Sequence, residues 1–208
     1  MRTTPLRLWR SALVLALLGL LSACHRTAAL PEVATLLPEA RPLPALTLTG
    51  GDGQPLPLTR LQGRPTLLFF GFTSCPDVCP TTLAALSAAT RRLQDLPRGS
   101  QPQVLFVSVD PLRDTPAAIA AYVAHFGDGI LGGTGDVATL QRLTRAVGAT
   151  FAVPSDADPA RGYGVLHSGQ VYLLNPAGQL IAVFSPPHDP AAIATDVRRI
   201  LILVGDRS

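Results

Sequence analysis

The 208-residue sequence predicts an α/β domain, a central mixed β-sheet flanked by helices, with an N-terminal edge hairpin. Three observations carry this prediction. Apolar runs of strand length, Thr66 to Phe70 and Gln103 to Val109, alternate with stretches of helical spacing. Each run is followed by a proline, Pro80 or Pro116, placed to open a helix, because only the first four N–H groups of a helix lack an intrahelical partner. The chain then closes on two strands joined by Asn175-Pro176-Ala177-Gly178 and a last amphipathic stretch.

From the start, Arg2, Arg7 and Arg10 precede an apolar run of 11 positions, Leu13 to Ala23, ending in Leu21-Ser22-Ala23-Cys24. The run is too short to span a bilayer comfortably and has the length of a signal-peptide core. Its end resembles the bacterial lipoprotein signal, in which the cysteine is lipidated. Residues 1–23 are therefore expected to be a signal peptide and Cys24 the lipidated first residue of an exported, membrane-anchored lipoprotein facing the periplasm or the cell exterior. The alternative is an ordinary signal anchor with Cys24 a bystander. Residues 24–44 carry Pro31, Pro38, Pro42 and Pro44 with no sustained hydrophobic period, and are expected to form a semi-extended tether. At ~3.1 Å per residue it would reach roughly 60 Å from the membrane. For its second half, packing on the domain is the alternative.

The domain is expected over residues 45–208. It opens with a hairpin, Leu46 to Leu48 and Pro55 to Leu58 around Gly50-Gly51-Asp52-Gly53, whose prolines place it at a sheet edge. A core strand, Pro65 to Phe72, leads through a cysteine turn into a helix reaching about Leu96. The strand Gln103 to Val109 follows, then Asp110 to Pro116, where Thr115 or Asp114 caps a helix running to Phe126. Gly127 to Gly135 reads as plain connection. Asp136 to Val147 has helical spacing, Ala149 to Val153 is a short strand, and Pro154 to Gly164 is a polar excursion. Gln170 to Leu174 and Gln179 to Phe184 are strands, and Pro190 to Val204 is the final helix. This order is that of the thioredoxin fold, by analogy.

The two cysteines of the domain sit where a strand hands over to a helix. Pro80 places Cys79 at or near the helix N-terminus and Cys75 in the loop before it. A helix N-terminus favours thiolate, hence both metal binding and disulfide exchange, while Asp77 opposes it. A fully helical i,i+4 pair holds its Cβ atoms roughly 5–6 Å apart, slightly too far for a disulfide. With Cys75 off the helix, the pair can close as a disulfide or open around a metal ion. A purely structural disulfide would close a tiny loop to little benefit.

Composition excludes several classes. There is no lysine, so no Walker A phosphate loop, and the only methionine is Met1, so no Met-rich copper site. Without residues 1–23 the chain keeps 14 arginines against 14 acidic residues, which argues against nucleic acid as a partner.

Gly71-Phe72-Thr73-Ser74-Cys75-Pro76-Asp77-Val78-Cys79-Pro80-Thr81, Val107 to Pro116, and His167-Ser168 before Val171-Tyr172-Leu173-Leu174 together resemble the Sco/SenC family over roughly residues 43 to 204. The resemblance implies a membrane-anchored, thioredoxin-like protein that binds copper and assists assembly of the dinuclear copper centre of cytochrome c oxidase. It implies Cys75, Cys79 and His167 as metal ligands. Many members carry an acidic residue before the histidine; here it is Leu166. The chemistry is consistent, since thiolates favour Cu(I) and imidazole suits both Cu(I) and Cu(II). Structural zinc would normally need a fourth ligand. His25, His125 and His188 are ordinary histidines on this reading, and Asp110 a residue behind the ligands.

Two functions follow. One is a metallochaperone taking copper from a donor protein and passing it to the copper-binding subunit of cytochrome c oxidase. The other is a thiol-disulfide oxidoreductase that reduces that subunit's cysteines through Cys75 and Cys79, with Cys75 the attacker. A thioredoxin-fold peroxidase, which would not require His167-Ser168, ranks last.

Overall fold

The computed structural model describes residues 29–205. The predicted signal segment 1–23 and the lipidation residue Cys24 lie outside them. Among the described residues no helix is long and apolar enough to cross a membrane.

The strands are β1 (Ala34–Pro42), β2 (Thr47–Gly50), β3 (Pro55–Pro57), β4 (Thr66–Gly71), β5 (Gln103–Ser108), β6 (Ile130–Thr134), β7 (Phe151–Ala152), β8 (Leu166–His167), β9 (Val171–Leu174) and β10 (Gln179–Phe184). The helices are α1 (Val78–Arg91), α2 (Pro116–Ala124), α3 (Val137–Val147) and α4 (Pro190–Gly205). Eight strands form one sheet in the order β1-β10-β9-β4-β5-β6-β2-β3, and β7 and β8 form a separate ribbon. β4, β5 and β6 run parallel, and β9 pairs antiparallel with β4, so the sheet is mixed as expected. The hairpin β2–β3 lies at one edge, where Pro55 and Pro57 are tolerated.

The central strands read as continuous apolar runs because both of their faces are covered. Every residue of β4 and of β9 is buried. α2 packs over β6, and α1 lies against α4. Helix starts follow the local chemistry. Thr115 accepts a hydrogen bond from the Ala118 N–H with Pro116 at the first position, and Asp136 accepts from the Thr139 N–H.

Three expectations need correction. The second half of the tether over 24–44 is not free: Ala34–Pro42 forms the edge strand β1, antiparallel to β10. Its register shifts between Leu36 and Arg41, and Pro38, which has no N–H to donate, falls inside that break. Three backbone N–H groups at its start, from Glu32, Val33 and Ala34, donate to the buried Asp196 carboxylate at 2.7–2.9 Å. The glycine-rich connection contains β6. A Cβ on Gly132 would stand 2.5 Å from Ile119 Cγ2, so this strand must be nearly side-chain-free where α2 crosses it. The helix after the cysteines ends at Arg91, short of Leu96, and the chain continues in tight turns.

Candidate metal centre

β4 delivers the cysteine turn. Its last residue, Gly71, pairs with Ser108 of β5, and the Gly71 carbonyl accepts from the Val109 N–H at 2.9 Å. Gly71 must be glycine, since a Cβ there would lie 2.9 Å from Cys79 Sγ and 2.8 Å from the Phe106 ring. Beyond it, Thr73 is fixed by the buried Asp114, whose carboxylate accepts from the Thr73 N–H at 2.8 Å, the Thr73 hydroxyl at 2.6 Å and the Ser108 hydroxyl at 2.5 Å. Asp114 is thus a functional residue whose part in holding the turn the sequence reading missed. Its only signal was the spacing Asp110-Pro111-Leu112-Arg113-Asp114, which read as turn and cap chemistry.

Cys75 is half-buried in the loop and Cys79 is fully buried in the first turn of α1; both are free thiols. The Cys79 N–H at the start of α1 donates to Cys75 Sγ at 3.4 Å. The helix donor is therefore spent on the loop cysteine. Asp77 is exposed, so its charge is screened by water.

His167 arrives from the far side of the chain on β8, paired with Phe151 of β7. The sequence placed it on a loop running into a strand; the ribbon gives that loop a defined register. Its ring stands edge-on to Phe69 and Phe72, with centroids 6.0 and 5.9 Å away. Nδ1 lies 3.1 Å from the Ser168 carbonyl, which can only accept, so Nδ1 carries the proton. Nε2 is left with its lone pair aimed at Cys79 Sγ, 3.4 Å away.

The three ligand atoms of Cys75, Cys79 and His167 lie within 4.8 Å of one another. Atoms bound to one ion at about 2.0–2.3 Å stand roughly 3.3–4 Å apart, so a small movement closes the set. Burial disfavours the charged forms of Cys79 and His167 without metal. It pushes the Cys79 thiol far above its ordinary value, with the Cys75 side chain adding to the effect. It also lowers His167, against a smaller opposing effect of the Ser168 carbonyl. Two soft sulfurs and one imidazole suit copper across its redox change.

Asp110 is no ligand. Its Oδ1 accepts from the Tyr163 hydroxyl at 2.6 Å and its Oδ2 pairs with Arg113 Nε at 2.5 Å. His125 and His188 donate to the carbonyls of Ala121 and Gly169 and stay outside the cluster; His25 lies outside the described residues.

A thioredoxin-like scaffold presenting two thiols and an imidazole to one point defines a class of thiol-based metal-binding domains. Within that class, the chain belongs to the SCO1/SenC family, whose model matches residues 38–202. A Stutzerimonas stutzeri protein named "Putative copper-binding protein" is 39% identical over 174 residues, 82% of this chain and 84% of its own. The apo Sco1 structure from Thermus thermophilus superimposes with a TM-score of 0.72 at 32% identity, covering 85% of this chain and 99% of that one. The copper-bound ScoI of Arabidopsis thaliana does so at 0.68 and 30% identity, covering 76% and 96%. The chain spans about half the length of the mitochondrial relatives it matches.

Proposed function

We propose that this protein is a membrane-anchored copper chaperone. It holds copper with Cys75, Cys79 and His167 and passes it to the copper-binding subunit of a cytochrome c oxidase, after receiving it from a donor protein. The observation that carries this reading is the convergence of the three ligand atoms within 4.8 Å, with the imidazole lone pair facing the buried sulfur. Solved relatives titled as copper-bound support the choice of metal. Oxidase assembly rests on the family resemblance, and anchoring rests on Cys24 as a lipidated residue of an exported chain.

The protein binds, exchanges and releases; no substrate bond is cleaved. Each incoming thiolate replaces a ligand, so the ion is never bare. The test is titration of the reduced protein with Cu(I) and Cu(II) separately, beside His167→Ala. Wild-type binding of both ions with a sharp loss of Cu(II) in the variant is expected. Equal affinity of the two proteins for both ions would overturn the site.

A second reading is favoured by one observation: the thiols are free and unequally exposed. As a thiol-disulfide oxidoreductase, Cys75 thiolate would attack a partner disulfide and release one partner thiolate. Cys79, on losing its proton, would attack the Cys75 sulfur and release the second. Two electrons pass to the partner, and the Cys75–Cys79 pair is left oxidised.

A further inference from the structure

The geometry points to Tyr163 and Arg113 as positioning residues, a latch that holds the His167 ribbon closed over the cysteine turn. The inference rests on the copper-site reading and adds to it what governs the third ligand.

The bonds that shape the ribbon are internal to it. Phe151 pairs with His167, the Ser168 N–H donates to the Thr150 carbonyl at 3.0 Å, and the Thr150 N–H donates to Ser168 Oγ at 2.9 Å. None of these three ties His167 to the cysteine turn, which the ring meets through the 3.4 Å contact of Nε2 with Cys79 Sγ. The cysteine turn, by contrast, is bonded into a buried cluster: Asp114 holds Thr73 and Ser108, and Ser108 Oγ accepts from the Asp110 N–H at 3.1 Å. Tyr163, four residues before His167, is the ribbon's hydrogen-bonded foothold on that cluster among the described residues, through its 2.6 Å bond to Asp110. The Arg113 guanidinium lies 3.7 Å over the Tyr163 ring and 5.6 Å from the Phe72 ring, and Phe72 stands edge-on to His167. A continuous stack therefore runs from the latch to the ligand.

The latch is fastened by the Tyr163 hydroxyl bond to Asp110 and by the stacking of the Arg113 guanidinium on the Tyr163 ring. Closed, the ribbon covers Cys79, which is wholly buried with its sulfur 3.4 Å from the imidazole. Open, it would leave a two-thiol site facing an incoming partner.

The test uses the full chain, reduced and metal-free, with Tyr163→Ala and Tyr163→Phe. Residues that orient metal ligands typically change affinity by about 10–100-fold. Tyr163→Ala should weaken Cu(II) by about that factor and alter the thiolate-to-Cu(II) absorption and electron-spin spectra, with a smaller effect on Cu(I) measured against a chromogenic chelator. Tyr163→Phe, which keeps the stack and loses the hydroxyl bond, should fall between it and the wild type. Without metal, iodoacetamide should modify Cys79 faster relative to Cys75 in both variants. Unchanged Cys79 modification in the variants overturns the latch, whatever copper does. If the wild type binds neither copper ion, the copper reading fails, while faster Cys79 modification still supports the latch. Should Tyr163→Ala not fold, Tyr163→Phe decides by the same measurements.

Discussion

Replacing Gly71 with alanine tests the placement of Cys79 at its closest contact. The new methyl would stand 2.8 Å from Phe106 Cε2 and 2.9 Å from Cys79 Sγ, short of ordinary contact at 3.4 Å by 0.6 and 0.5 Å. Neither neighbour yields easily. Phe106 is wholly buried in β5 opposite Phe69, and Cys79 is wholly buried in the first turn of α1. Overpacking a close-packed interior costs about 1–3 kcal/mol. For a chain of this size that lowers Tm by about 2–12 °C, measured by calorimetry on the metal-free reduced protein. Ligand geometry tolerates displacements of only about 0.5 Å, so Cu(I) affinity should fall together with Tm. Gly99→Ala is the matched control, because its nearest foreign atom is the Gly63 carbonyl oxygen at 3.8 Å. It should change stability by less than about 0.5 kcal/mol. A Tm for Gly71→Ala within a degree of wild type, with unchanged copper affinity, would refute the packing of Cys79 against β4.

The metal-free protein should be most stable between the ordinary values of 6.5 for His167 and 9.0 for Cys79. As pH falls below 6.5 the unfolded chain protonates His167 while the folded chain resists, so stability declines. Above 9.0 the unfolded chain loses the Cys79 proton that the folded chain retains, and stability declines again. Urea midpoints across pH check this, with His167→Ala flattening the acid side and Cys79→Ser the alkaline side. Asp196→Ala should cost about 1.5–3 kcal/mol by removing the acceptor of three backbone N–H groups, and should speed amide exchange at residues 32–34 specifically. Asp114→Ala leaves the Thr73 and Ser108 donors without their carboxylate. It should lower both the urea midpoint and Cu(I) affinity, whereas Asp136→Ala, a lost helix cap, costs about 1 kcal/mol and leaves copper untouched.

The clearest strand signals in the sequence come from the buried centre of the sheet, whereas the partly exposed β2, β3 and β10 were read from their turns and flanking residues. β4, β5 and β9 carry uninterrupted apolar runs, and Pro80 and Pro116 mark helix starts because a missing N–H is harmless only there. β6 escaped notice for a different reason: α2 sits close over Gly132, and the β2–β3 hairpin close over Gly133, so glycines replace the side chains that would have signalled a strand. β1 escaped because it is an edge strand with a register break, exposed along most of its length, so neither alternation nor an apolar run marks it. At the site, Cys75, Cys79 and His167 were legible from the three motifs taken together and converge in the fold, whereas Asp110, expected directly behind the ligands, bonds instead to Tyr163, Arg113 and Ser108. Tyr163 was not legible. It lies in a polar excursion with no period, and only the fold brings its hydroxyl 53 residues back to Asp110.

The inequivalence of the two sulfurs bears on how chaperone and reductase can be told apart. Cys75 is half-exposed and Cys79 is covered, so a partner's sulfur meets Cys75 first on either reading. The reductase reading needs only the cysteines as reacting atoms, which would make His167 the discriminating residue. The geometry removes that simplicity. Burial holds the proton on Cys79, and a resolving attack by Cys79 requires its removal. An acceptor in reach is His167 Nε2 at 3.4 Å, already carrying the free lone pair. His167 would then serve a reductase as the proton acceptor of the second step, and loss of reduction in His167→Ala would not by itself favour copper delivery. Affinity does separate the two, because a proton acceptor need not hold Cu(II), whereas a third ligand must.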